Sequence, residues 1–252
     1  MSGTVYAVAS GKGGVGKTTT TVNLGTALAM AGESVAIVDT DLGMANLAGF
    51  VSLNPESTTL HDVLADEADL EEATYELVDG MVAIPSAGEL EEYAKSSPEG
   101  LGAVVAELRE SHDRILLDVG AGVSHESVLP LGLADGVLLV STPEPASVQD
   151  VKKTIELAER AEGRVLGIVI TRTRPETDVS YDRIADQLDV TLIGTIPDDP
   201  LVRESLYAGR PVVVHDQESP AAQGYRRLAM TLLESEDLAE PDATRADGGD
   251  EE

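Results

Sequence analysis

The sequence predicts an α/β protein: a doubly wound, mainly parallel sheet of seven or eight strands flanked by helices. Three observations carry that expectation. A β-branched apolar run, residues 4–10, leads into a glycine-rich loop, and a helical pattern with Val22, Ala27, Leu28 and Ala31 on one face follows at once. Residues 33–41, 114–118 and 136–142 repeat the buried-strand pattern between helical stretches, as right-handed βαβ crossovers require. At 252 residues, one domain with ample chain for a core is expected.

The loop is Gly11-Lys12-Gly13-Gly14-Val15-Gly16-Lys17-Thr18, which fits G-x-x-x-x-G-K-[ST]. Its four glycines let backbone N–H groups turn inward as an anion nest, and the helix N-terminus adds partial positive charge. In this pattern Lys17 reaches the β- and γ-phosphates of a nucleotide and the Thr18 hydroxyl binds Mg²⁺. Lys17 is expected at a solvent-facing cradle, so that Lys17→Ala leaves the fold intact. The chain has only five lysines, and Lys12 is a second one within six residues. Two cations there repel unless a polyphosphate, its own or a partner's, neutralises both; otherwise Lys12 is a solvated loop residue.

The run GKGGVGKTT, residues 11–19, resembles the deviant Walker A motif of the MinD/ParA ATPases. The resemblance implies ATP and Mg²⁺, held by Gly11, Lys12, Gly13, Gly14, Val15, Gly16, Lys17, Thr18 and Thr19. It also implies an ATP-sandwich homodimer in which Lys12 contacts the nucleotide of the partner subunit. Asp39 and Asp41 end the second strand, close to the loop in such sheets. VDTDLGMANL, residues 38–47, resembles the family's switch I, which would make Asp41 a ligand of Mg²⁺ water that positions the attacking water. Asn46 stands where the family has a switch asparagine. Asp41 would otherwise cap a helix.

Residues 42–80 read as a loop-rich excursion with one short helix at 60–64, residues 81–85 as a third strand, and residues 98–111 as a helix. The run RILLDVGAG, residues 114–122, has the shape of a Walker B strand, with Asp118 directed at Mg²⁺ through water and Gly122 completing the family's D-x-x-x-G. A turn-starting aspartate is the alternative. Residues 143–161 read as a helix, and 164–173 and 190–197 as strands. Thr171-Arg172 occupies the place where many relatives carry Asn-Arg beside the adenine. The resemblance also brings Pro197 and Asp198 near the base, though a strand-ending turn with a helix cap accounts for them equally. Residues 219–234 close the fold with an amphipathic helix.

Forty-six acidic against 17 basic residues give a net charge of −29. Such a surface opposes nonspecific nucleic-acid binding. It fits either a basic partner or a high-salt cytoplasm that screens the charges within about 3 Å at 1 M salt. Lys152, Lys153, Arg226 and Arg227 are the candidates for a local DNA-binding patch. The absence of cysteine excludes disulfides, thiolate metal sites and iron–sulfur ligation. With no leader-like or long apolar run, the expected compartment is the cytoplasm. Residues 1–235 are expected to form the ATPase domain and 236–252 an acidic, disordered tail. Membrane-binding relatives end in a basic amphipathic helix; this tail has Leu238 as its only large apolar residue, so no direct membrane binding is expected. The resemblance implies a slow, partner-stimulated ATPase that positions division, motility or chemosensory assemblies as an ATP-dependent dimerisation switch. The alternatives are a DNA-partition ATPase and a non-hydrolysing nucleotide-gated scaffold.

Overall fold

Eight strands share one sheet: β1 (Thr4–Ala9), β2 (Val35–Asp39), β3 (Tyr75–Val78), β4 (Met81–Ile84), β5 (Arg114–Asp118), β6 (Gly136–Ser141), β7 (Val165–Thr173) and β8 (Leu192–Pro197). The computed structural model describes residues 2–43, 47–49, 57–86, 100–122, 125–174 and 179–237. Strand order is β3-β4-β2-β5-β1-β6-β7-β8, and every pairing is parallel except β3 with β4. The helices are α1 (Lys17–Met30), α2 (Leu60–Leu64), α3 (Leu101–Ser111), α4 (His125–Leu133), α5 (Pro145–Arg160), α6 (Tyr181–Leu188), α7 (Pro200–Tyr207), α8 (Val212–His215) and α9 (Pro220–Asp237).

The central strands are buried on both faces, which is why they read as unbroken apolar runs. Alternate residues of β1 serve two cores. Val5, Ala7 and Ala9 join residues of α2 to α6, whereas Tyr6 and Val8 join those of α1, α8 and α9. A Cβ on Gly25 would come within 2.9 Å of Met81 Sδ and 3.0 Å of Ile37 Cδ1, so α1 sits close on the sheet there. Register then builds the functional edge. Val8 lies opposite Asp118, and Asp118 opposite Asp39. The loops after β1, β2 and β5 therefore leave the sheet side by side.

The fold class is as expected, and the structure adds one strand and four α-helices: β3, α4, α6, α7 and α8. The antiparallel edge strand β3 is four half-buried or exposed residues, too short for a clear period. Its hairpin signal is Asp79-Gly80, which joins Val78 to its partner Met81 with Gly80 at φ 79°. Helix α4 carries an internal Pro130 that obscures its pattern, and α6 is one eight-residue segment capped by Ser180, whose hydroxyl accepts from Arg183 N. Helix α9 runs to Asp237, past the expected boundary at 235; the acidic tail from residue 238 lies outside the described residues. Among the described residues, no helix is long and apolar enough to cross a membrane.

Helix α2 is tied to the loop after β2 by a buried histidine. His61 is 2% exposed and hydrogen-bonds the backbone of Leu42. Burial pushes its pKa below the usual 6.5, against the opposing pull of the Leu42 bond and the Asp62 charge. The unfolded chain thus takes up a proton more readily than the folded one. Stability from the neutral ring is complete above 6.5 and declines as pH falls below it. Thermal melts from about pH 7 down to about pH 5.5 should show a steeper loss for the natural chain than for His61→Gln; equal slopes would remove His61 from this role.

Candidate functional site

The loop between β1 and α1 owes its shape to two kinds of glycine. Gly14 and Gly16 lie in the left-handed region at φ 79° and 96°. Gly11 is needed for close approach, since a Cβ there would fall 2.2 Å from the backbone carbon of Asp150 in α5. Turning N–H groups inward turns carbonyls outward, and each of those requires a donor. Ser10 Oγ donates to Lys12 O at 3.1 Å, Arg172 Nη2 to Gly14 O at 2.7 Å, Thr171 Oγ1 to Val15 O at 2.6 Å, and Thr20 N to Gly16 O at 2.8 Å. Lys12, Gly13 and Gly14 are exposed on the rim, while Thr18 and Thr19, in the first turn of α1, are half-buried.

Lys17 is not solvent-facing. It is 7% exposed, and its Nζ meets Asp118 Oδ1 at 2.8 Å, with Asp118 itself at 0%. Thr21 Oγ1 donates to the same oxygen at 3.1 Å. Thus the expectation that Lys17→Ala would spare the fold is corrected, because removing the lysine leaves a buried carboxylate uncompensated. The second oxygen, Asp118 Oδ2, is buried and makes no hydrogen bond among the described residues. Such an orphan is rare in folded proteins and here has lone pairs available to a cation. Among the described residues, no cluster of three or more His, Cys, Asp or Glu side chains could hold a metal. Mg²⁺ takes one or two carboxylates, waters and the phosphates of its substrate. Thr18, Asp118 and Asp41 are therefore a fitting donor set.

Asp39, which ends β2, and Asp41, two residues beyond it, diverge. Asp39 is fully buried; its Oδ1 accepts from Asp41 N at 3.2 Å and its Oδ2 from Leu47 N at 3.0 Å, which holds the following loop. Asp41 is half-buried, and its carboxylate faces the turn after β5, so that a Cβ on Gly120 would lie 3.2 Å from Asp41 Oδ1. Thr40 joins the two strands at this level, donating from N and Oγ1 to Asp118 O at 3.0 and 2.9 Å. Asn46 lies outside the described residues.

The C-terminal ends of β7 and β8 complete the edge. Thr171 is 4% exposed, and its hydroxyl is directed at Val15 O with Ser141 O as a weaker second acceptor at 3.2 Å. Asp198 is joined to Arg174, whose Nε and Nη2 reach Asp198 Oδ2 at 2.9 and 2.7 Å; its backbone N donates to Thr173 O at 2.9 Å, beside the half-buried Pro197. Glu144 lies near the loop. A hydrogen bond from Thr142 holds its carboxyl below the usual range, helped by the charges of Arg172 and Lys12. The candidate DNA patch is corrected. Lys152 and Lys153 sit on α5, packed on one face of the sheet, and Arg226 and Arg227 on α9, packed on the other. They share no surface. Sequence reasoning missed Ser10, Thr21 and the contact of Arg172 with the loop. For Thr21 and Arg172 no local signal exists, since their partners Asp118 and Gly14 lie 97 and 158 residues away.

A glycine-built anion cradle, a buried lysine and an unfilled aspartate oxygen at the carboxyl edge of a parallel sheet define a P-loop nucleotide-binding protein. The chain belongs to the CobQ/CobB/MinD/ParA nucleotide-binding domain family (CbiA), whose profile matches residues 6–212. It is 37% identical over 228 residues to an uncharacterized ATP-binding protein of Methanocaldococcus jannaschii, covering 90% of this chain and 86% of that one. It is similar to the cell division ATPase MinD of Pyrococcus furiosus, with a TM-score of 0.86 and 35% identity over 92% of this chain and 99% of that one. The septum site-determining protein MinD of Pyrococcus horikoshii, solved with Mg-ADP, superposes with a TM-score of 0.85 at 35% identity, covering 96% of this chain and 99% of that one.

Breaking the buried pair from one side should destabilise the ligand-free protein. Lys17→Ala is expected to lose about 3–5 kcal/mol in urea unfolding, and Lys17→Ala with Asp118→Asn to recover much of it. Additive losses in the double variant would show that the pair is not coupled.

Proposed function

We infer that this protein is a Mg-dependent ATP hydrolase that works as an ATP-driven dimerisation switch of the MinD type. The carrying observation is the Lys17–Asp118 pair, with the second aspartate oxygen unfilled. Each charge is held where it would meet its opposite on a nucleotide: phosphate for Lys17, metal for Asp118. Lys17 and the backbone from Gly13 to Thr18 bind the phosphates. Thr18 would hold the metal through its hydroxyl, and Asp118 and Asp41 would hold it through water. The metal, when bound, neutralises charge on the phosphates. Asp41 orients the attacking water, a role favoured by its position over the turn after β5. Lys12, exposed on the rim, reaches the nucleotide of a second copy. Pro197 and Asp198 line the base end of the site, and Thr171 and Arg172 act on the loop.

The homodimer formed with ATP positions cellular machinery through a protein partner, which also stimulates slow hydrolysis. The partner recruits a cytoplasmic protein to poles or midcell. The separation of the basic residues onto two faces disfavours duplex binding, since a phosphate-neutralising surface needs them together. The charge of −29 supports adaptation to concentrated salt.

Asp41→Ala should bind ATP, hydrolyse it at least about a hundredfold more slowly, the range typical of lost general-base or water-positioning groups, and accumulate as a dimer by light scattering. A monomeric variant with ATP, or turnover at the natural rate, would remove Asp41 from the mechanism. Vesicles of anionic lipid should not co-sediment with the protein, with or without ATP, because residues 238–252 offer no apolar face and their carboxylates are repelled at about 1 kcal/mol per charge. ATP-dependent co-sedimentation lost on deletion of that segment would contradict this.

A further inference from the structure

Within the strands, Arg172 has a backbone that only a special local structure produces. Four described residues other than glycine have positive φ, and Asp66, Glu162 and Asp189 all follow helix ends. Arg172, at φ 53°, instead lies inside β7. There the pairing slips: Thr171 faces Ile196 and Thr173 faces Pro197, so Arg172 is an extra residue without a partner on β8. A bulge of this kind re-aims one side chain. The arginine is exposed, yet its Nη2 reaches Gly14 O at 2.7 Å, beside the Thr171 contact to Val15 O. Glu144 adds a nearby opposite charge.

We propose that Arg172 is a positioning residue for the phosphate loop. The bulge carries its guanidinium to the outward carbonyl of Gly14, which keeps the loop in its phosphate-binding shape, and nucleotide affinity depends on this side chain through the loop alone. A left-handed backbone is strained in arginine and unstrained in glycine. The position thus trades stability for a prepared loop. The proposal rests on the loop being the nucleotide site, and it sets the contribution of Arg172 there: the loop's shape, not recognition of the base.

The discriminating variants are Arg172→Gly and Arg172→Lys, compared with the natural protein in calorimetric titrations of Mg-ADP and of Mg-tripolyphosphate, which has no base. Arg172→Gly should raise both dissociation constants about tenfold, and its ligand-free melting temperature should equal or exceed the natural one. Arg172→Lys, which keeps a charged donor, should recover part of the affinity for both ligands. A weakening confined to Mg-ADP would assign Arg172 to the base and overturn the proposal. So would unchanged affinities, or a lowered melting temperature with unchanged affinities, which is the result of a merely structural bond. If the natural protein binds neither ligand, the nucleotide site itself fails, and the proposal with it.

Discussion

The functional edge depends on one buried ion pair. Lys17 and Asp118 are 101 residues apart, yet they meet at 2.8 Å in a region almost without solvent. Either charge alone would be costly there, and the pair with Thr21 stabilises both. Within the protein the two charges compensate each other. The lysine stands in for a cation beside the aspartate, and the aspartate stands in for an anion beside the lysine. Under the proposed function, phosphate would replace the aspartate beside Lys17 and metal would replace the lysine beside Asp118, so that binding would exchange one ion pair for others.

The sheet makes that meeting possible. Register levels Val8, Asp118 and Asp39, so that the chain leaves three adjacent strands at one height. Thr40 bonds to the backbone of Asp118 and Asp39 to that of residues 41 and 47, which makes the segment after β2 an extension of the same network. His61 fastens α2 to Leu42, one residue past Asp41. Residues 41 and 42 therefore lie against both the turn after β5 and α2.

The phosphate loop is held from outside by groups of ordinary type. A hydroxyl from Ser10, a hydroxyl from Thr171, a guanidinium from Arg172 and one helical N–H satisfy four outward carbonyls. Gly11 lets the loop lie against α5. The acidic surface bears on this little, because the cradle's charges are local: Lys12 and Arg172 face Glu144, and Lys17 faces Asp118.

Much of the protein was legible in the sequence because its strongest features are local. Glycine spacing dictates a cradle, apolar runs buried on both faces dictate parallel strands, and an aspartate ending such a run lies at the carboxyl edge. The MinD/ParA resemblance began from residues 11–19 and extended to residues 38–47 and 114–122, and the family match over residues 6–212 bears it out. What tertiary structure decided were the long-range pairings. The burial of Lys17 against Asp118, the Arg172 bulge on Gly14 and the parting of Lys152 and Lys153 from Arg226 and Arg227 by the sheet all join or separate residues far apart in the chain. Sequence spacing carries periodicity along one element. It carries nothing about which elements meet, and these contacts depend on strand order and register, which only the packed sheet sets.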